Sequence, residues 1–82
     1  MMPDKHERDG WVKVRRGAFH RNLLRLRTNR GLTQIQLAEA IGVTQSRISE
    51  WERDKGEPNL AQLHRLADAL RVKMGTLLEA EK

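Results

Sequence analysis

Cysteine and tyrosine are absent, proline occurs twice, and Trp11, Phe19 and Trp51 are the whole aromatic complement of the 82 residues. Without cysteine there is no disulfide framework and no thiolate metal site, so the scaffold is not that of a small stapled secreted domain, and a reducing cytosol is permitted. No apolar run approaches 18 residues, which predicts no membrane span. The amino terminus has no apolar run behind its charges, so no secretory signal is expected there and the cytoplasm is the expected location. Apolar residues make up 38% and glycine adds six positions, which together lie at the lower edge of the globular range of about 45–50%. The length and this composition predict one domain with a thin core.

Charge is what the chain has in excess, and its placement matters more than its sum of +5. Residues 1–31 hold nine bases against three acids, whereas residues 32–82 hold seven against eight. A basic lead on a nearly neutral body points to a polyanionic partner, because Lys and Arg displace counterions from phosphates. Charge alone separates neither nucleic acid from an acidic membrane nor either of them from simple solubility.

Along the chain, residues 1–9 alternate charges without an apolar period. Gly10 to Arg16 reads GWVKVRR, strand-like in alternation, but no second strand-like run exists to pair with it. Residues 1–16 are therefore expected to form a flexible basic arm. After Gly17 the period becomes helical, with Phe19, Leu23, Leu26 and Arg30 on one stripe ending at Gly31. Thr33 and Gln36 form a T-x-x-Q capping box ahead of a helix burying Leu37, Ala38 and Ile41. Gly42 stops that helix. Thr44 caps the next, Gln45 to Arg53, with Ile48 and Trp51 turned inward. Asp54 to Pro58 is a turn cluster. Asn59 caps a fourth helix with Leu60, Leu63, Leu66, Ala67 and Leu70 in a stripe, and a fifth is expected from Met74 to about Ala80. The predicted fold is all-α, five short helices over residues 17–80, with no repeats.

The informative stretch is Gln34 to Arg53, QIQLAEAIGVTQSRISEWER. Two helices joined through Gly42-Val43-Thr44 cross at roughly 90–120°. That crossing asks for a small residue at the close approach, Ala38. It asks for a residue free to take positive φ, Gly42. It also asks for apolar plugs, Leu37, Ile41, Val43, Ile48 and Trp51. With Leu23-x-x-Leu26-Arg27, Gly31-Leu32-Thr33-Gln34, Ile48-Ser49-x-Trp51-Glu52, Pro58-x-Leu60 and Leu77-Leu78 in order, the chain resembles the phage-repressor type of helix-turn-helix family, that of the lambda and 434 repressors and Cro proteins, also called XRE-like. The resemblance covers about 60 residues of the chain, with 34–53 as the motif. It implies a five-helix domain that binds duplex DNA as a dimer, with the helix that begins at Gln45 in the major groove.

Base reading is expected from Gln45 and Ser46 in the first turn of that helix, since a Gln amide can bond adenine N6 and N7 together. The same residue types stand at these positions in lambda-like repressors. Ser49 and Glu50 follow one turn later on the same face. Thr44 and Arg47 flank the row toward the sugar-phosphate, Gln34 resembles the family's phosphate clamp at a helix start, and Arg53 is expected on phosphate as well. Arg27 and Glu52 stand where the family often has a buried ion pair tying the first helix to the third. Lys73 stands where it commonly has a capping Ser or Asn.

Other chemistry finds little support. His6, His20 and His64 have no metal-ligand spacing and read as surface histidines, so no metal is expected. Ser46 and Ser49 lack an oriented base, so no nucleophile is expected, and the chain reads as a non-enzyme without a cofactor. Trp51, in phase with Ile48, reads as core. For the arm three readings stay open. Lys13, Arg15 and Arg16 could grip phosphate or the minor groove, the segment could be a solubilising tail, or Trp11 to Val14 could bind a protein partner. Two functions are carried forward. One is a transcriptional repressor acting as a homodimer on a palindromic operator, in the cytoplasm of a bacterium or encoded by a phage, and associated with the nucleoid. The other is an antitoxin or controller subunit that binds a protein partner and autoregulates its operon. Dimerisation is expected through the apolar surface of Met74, Leu77 and Leu78.

Overall fold

A short polar side chain accepts from the amide of the third helical residue at three of the helix starts. The structure, a computed structural model, describes residues 18–79. The expected arm over residues 1–16, with Lys13, Arg15 and Arg16, lies outside the described residues. Helix α1 occupies 18–29 of the described residues. Helix α2, Gln34–Ile41, opens on a complete capping box in which Thr33 accepts from the Gln36 amide and Gln36 reaches back. Helix α3, Gln45–Glu52, is capped by Thr44, which accepts from the Arg47 amide. Helix α4, Leu60–Leu70, has a second capping box between Asn59 and Gln62. Such caps each contribute about 1 kcal/mol. Helix α5, Met74–Leu78, begins at Lys73 with no side-chain cap at all. The described residues thus form five helices and no strand.

One core serves all five. Phe19 and Leu23 of α1, Leu37, Ala38 and Ile41 of α2, Ile48 and Trp51 of α3, Leu63, Leu66, Ala67 and Leu70 of α4, and Leu77 of α5 are buried together. Among α2 to α5, α2 packs against both α3 and α4, and α4 packs against α5. Trp51 is 1% exposed, a core side chain as its phase with Ile48 predicts.

Several expectations are corrected. Leu60 is in phase with the α4 stripe, yet at the first helical residue it is 65% exposed, so the buried stripe starts at Leu63. Arg30 lies past the end of α1 and is exposed, while Leu26 is half-buried. Helix α3 ends at Glu52, with Arg53 as its cap, and α5 ends at Leu78. Leu77 offers no docking surface because it is fully buried in the core of its own chain. His20 is half-buried, with its Nδ1 shut from solvent and without a hydrogen-bond partner among the described residues, whereas His64 is exposed as expected.

The sequence did not announce Asn22. This buried amide donates to the carbonyls of Thr76, Leu77 and Glu79 at 3.3, 2.9 and 2.8 Å. These are the orphan carbonyls at the end of α5, and a helix end buried without partners is costly. Its own oxygen accepts from Arg25 at 3.0 Å. One side chain of α1 therefore terminates α5, fifty-odd residues away.

Candidate nucleic-acid interface

The site is set by the sharp turn between α2 and α3. Gly42 takes φ 78°, ψ 35°, the left-handed conformation that ends α2. The amides of Gly42 and Val43 both return to the Ala38 carbonyl, at 2.9 and 3.0 Å. Two residues later Thr44 is extended and α3 begins. With Ile48, Trp51 and Glu52 buried, the helical period turns Ser46, Ser49 and Glu50 away from the core and puts Gln45, two turns before Glu52, at the border of the buried face. Gln45 and Ser46 are exposed, while Ser49 and Glu50 are half-buried. The expected base-reading row is thus one continuous edge, most open at the amino-terminal turn.

The expected backbone contacts border that edge. Thr44, Arg47 and Arg53 are all exposed. The Thr44 hydroxyl oxygen accepts from the Arg47 amide at 3.2 Å, which leaves its proton to donate outward. Arg47 lies 3.7 Å from Glu50, one turn apart, with side chains 57% and 42% exposed. Such a pair contributes about 0–1 kcal/mol, so it does not hold Arg47 back from a phosphate. Arg53 Nε donates to the Ser49 carbonyl at 3.3 Å, an anchor that leaves its terminal nitrogens to solvent.

Behind the edge runs a chain of polar contacts that joins three helices. Glu52, four residues after Ile48 on the same buried face, brings a carboxylate to the inner side of α3, where its side chain is 5% exposed. Arg27 of α1 meets it through Nε, and through Nη2 to Oε1 at 3.1 Å. The remaining arm of the guanidinium, Nη1, donates to the Leu32 carbonyl at 2.7 Å and so ties the α1–α2 connection into the same group. Glu52 Oε1 also accepts from Gln34 Nε2 at 2.9 Å. Gln34 Oε1 in turn accepts from Gln45 Nε2 at 3.2 Å. Gln34, expected only on phosphate, is therefore also the bridge between the buried ion pair and the exposed Gln45. The buried acid at Glu52 was expected from the family resemblance alone. The amide bridge was not legible, because it spans 18 and 11 residues with no local pattern.

No group of three His, Asp or Glu able to hold a metal occurs among the described residues. No described helix is long and apolar enough to cross a membrane.

Residues 23–77 match the family profile described as Helix-turn-helix. The chain belongs to this helix-turn-helix family. Its members include relatives with different regulatory signs. The chain is 41% identical over 64 residues to the HTH-type transcriptional activator BcrR of Enterococcus faecalis, an alignment covering 78% of this chain and 31% of that protein. It is 36% identical over 56 residues to the immunity repressor protein of Bacillus phage phi105, covering 68% of this chain and 39% of that one. The chain thus spans little more than a third of these relatives at most. Among solved structures, the restriction-modification controller protein C.AhdI from Aeromonas hydrophila has a similar fold, with a TM-score of 0.70 at 33% identity over 73% of this chain and 91% of that one. The helix-turn-helix domain described above is accordingly that of a family of DNA-binding transcriptional regulators, of the phage-repressor type that the motif residues resemble.

Proposed function

We propose that this helix-turn-helix chain is a cytoplasmic, sequence-specific repressor that binds a palindromic operator in duplex DNA as a homodimer, each α3 entering the major groove of one half-site. The observation that carries the reading is the exposed first turn of α3. Gln45 and Ser46 are exposed there while Ile48, Trp51 and Glu52 of the same helix are sunk in the core. On this reading Gln45 and Ser46 read bases, Ser49 and Glu50 read or exclude bases one turn on, and Thr44, Arg47, Arg53 and Gln34 hold sugar-phosphate. The free amides of the first turn of α2 add a dipole end suited to a phosphodiester. Repression needs no further chemistry, since occupation of a promoter excludes polymerase. Leu78 is 37% exposed, and with the half-buried Met74 it offers apolar surface for the second copy.

Selection of binding sites from random duplexes tests this. An inverted repeat with half-site centres about 34 Å apart, one helical turn, is the expected outcome. Recovery of an asymmetric site bound by one copy would remove both dimer and palindrome. A second reading is favoured by the likeness to a restriction-modification controller, in which the chain is a controller or antitoxin subunit that also binds a protein partner through residues 1–16. Deleting those residues separates the two readings, since only the second expects partner binding to be lost while operator binding persists.

A further inference from the structure

The polar chain that ends at Gln45 has a direction, and the direction comes from its buried end. An ionised carboxylate only accepts hydrogen bonds, so the Gln34 atom that faces Glu52 Oε1 at 2.9 Å has to be the amide nitrogen. That turns the Gln34 oxygen toward Gln45. An oxygen also only accepts, so Gln45 has to present its own amide nitrogen, which it does at 3.2 Å. The outer bond is long and exposed and by itself weak. The inner one is charge-assisted, and it rests on a carboxylate whose side chain is 5% exposed and already engaged by Arg27.

The consequence falls on the two protons of Gln45 Nε2. One is committed to Gln34, which leaves one donor and one carbonyl acceptor for the groove. Adenine presents one acceptor, N7, and one donor, N6, which is the complementary pattern. Guanine presents two acceptors, N7 and O6. Its O6 would face the Gln45 carbonyl without a proton between them. A Gln45 free of Gln34 would keep both protons and could turn them to either purine.

We propose that Glu52 is a specificity-positioning residue: acting through Gln34, it fixes the polarity of the Gln45 amide and so selects adenine against guanine at the base pair Gln45 reads. The proposal rests on the reading of Gln45 as a base reader. It extends the role of Glu52 beyond joining α1 to α3, and it makes discrimination at an exposed residue depend on a buried charge.

The test uses the full chain and its selected duplex, with A·T or G·C at the pair in question. The parent is expected to prefer adenine by about tenfold or more. Gln34→Leu removes the bridge at a half-buried surface position. The double change Arg27→Met with Glu52→Leu removes the charge that orients it, and replacing both partners of a buried pair leaves such folds intact. Circular dichroism melting verifies that each variant is folded. Both are expected to bring the adenine-to-guanine ratio within about threefold, beyond any loss of affinity common to the two duplexes. If affinity falls equally on both duplexes and the ratio stays at the parent value, while Gln45→Ala abolishes it, the relay is overturned and Gln45 remains a reader. If Gln45→Ala leaves the ratio unchanged, the base-reading assignment itself fails.

Discussion

Three donors converge on the Glu52 carboxylate, Arg27 Nε, Arg27 Nη2 and Gln34 Nε2, and this convergence lets a charge persist at 5% exposure beside so small a core. Desolvating two ions costs several kcal/mol each, which the pair's attraction and its extra hydrogen bonds offset. Removing one partner is therefore worse than removing both. Arg27→Met alone is expected to cost about 3–5 kcal/mol in urea denaturation, because it strands Glu52, while Arg27→Met combined with Glu52→Leu is expected to be neutral or stabilising by about 1–4 kcal/mol. A silent single variant would mean that the pair contributes nothing. At this scale the sequence is informative about which residues face in and which face out, since that follows from period. It is silent about partners such as Asn22 with the end of α5, or Gln34 with Glu52, since a hydrogen bond between distant residues leaves no trace in spacing.

The helices owe their limits to local chemistry that can be read residue by residue. Thr33, Thr44 and Asn59 cap where their types and positions predict, because an N-cap needs only its own side chain and the next turn. Gly42 is equally local. A Cβ built there would meet nothing within 4 Å, so the whole penalty of Gly42→Ala lies in forcing a side chain to φ 78°. That predicts a loss of about 1–2 kcal/mol in thermal or chemical unfolding, and no loss would show that the turn relaxes to another conformation. Ends without a glycine were less legible. Helix α4 stops at Arg71 with φ 59°, a left-handed residue of a type that rarely marks a helix end. Helix α5 has five residues and an uncapped start at Lys73; it is held by burial of Leu77 and by Asn22, neither of which belongs to its local sequence.

Across the whole molecule, recognition and electrostatic attraction are divided between different parts of the chain. The proposed reading edge lies in the nearly neutral segment 32–82, and the surplus of bases lies in 1–31. Deleting residues 1–16, which carry five bases and three acids, is expected to flatten the dependence of log K on log salt by about 0.9 for each phosphate that the arm neutralises, without changing the selected sequence. A changed consensus would instead give the arm a part in reading bases. Sedimentation of the same protein on its selected duplex is expected to show two copies per site, and one copy per site would end the dimer proposal. Amino-acid order by itself determined the succession of helices, the caps at Thr33, Thr44 and Asn59, most of the inward and outward faces and the helix-turn-helix motif, because each depends on interactions within a turn or two. Only the tertiary structure decided that Leu77 is core and not docking surface, that Leu60 stands outside the core, that Asn22 closes α5, and that Gln45 is wired through Gln34 to a buried carboxylate. Those outcomes depend on which helices come together, and the competition for a shared interior is settled in three dimensions.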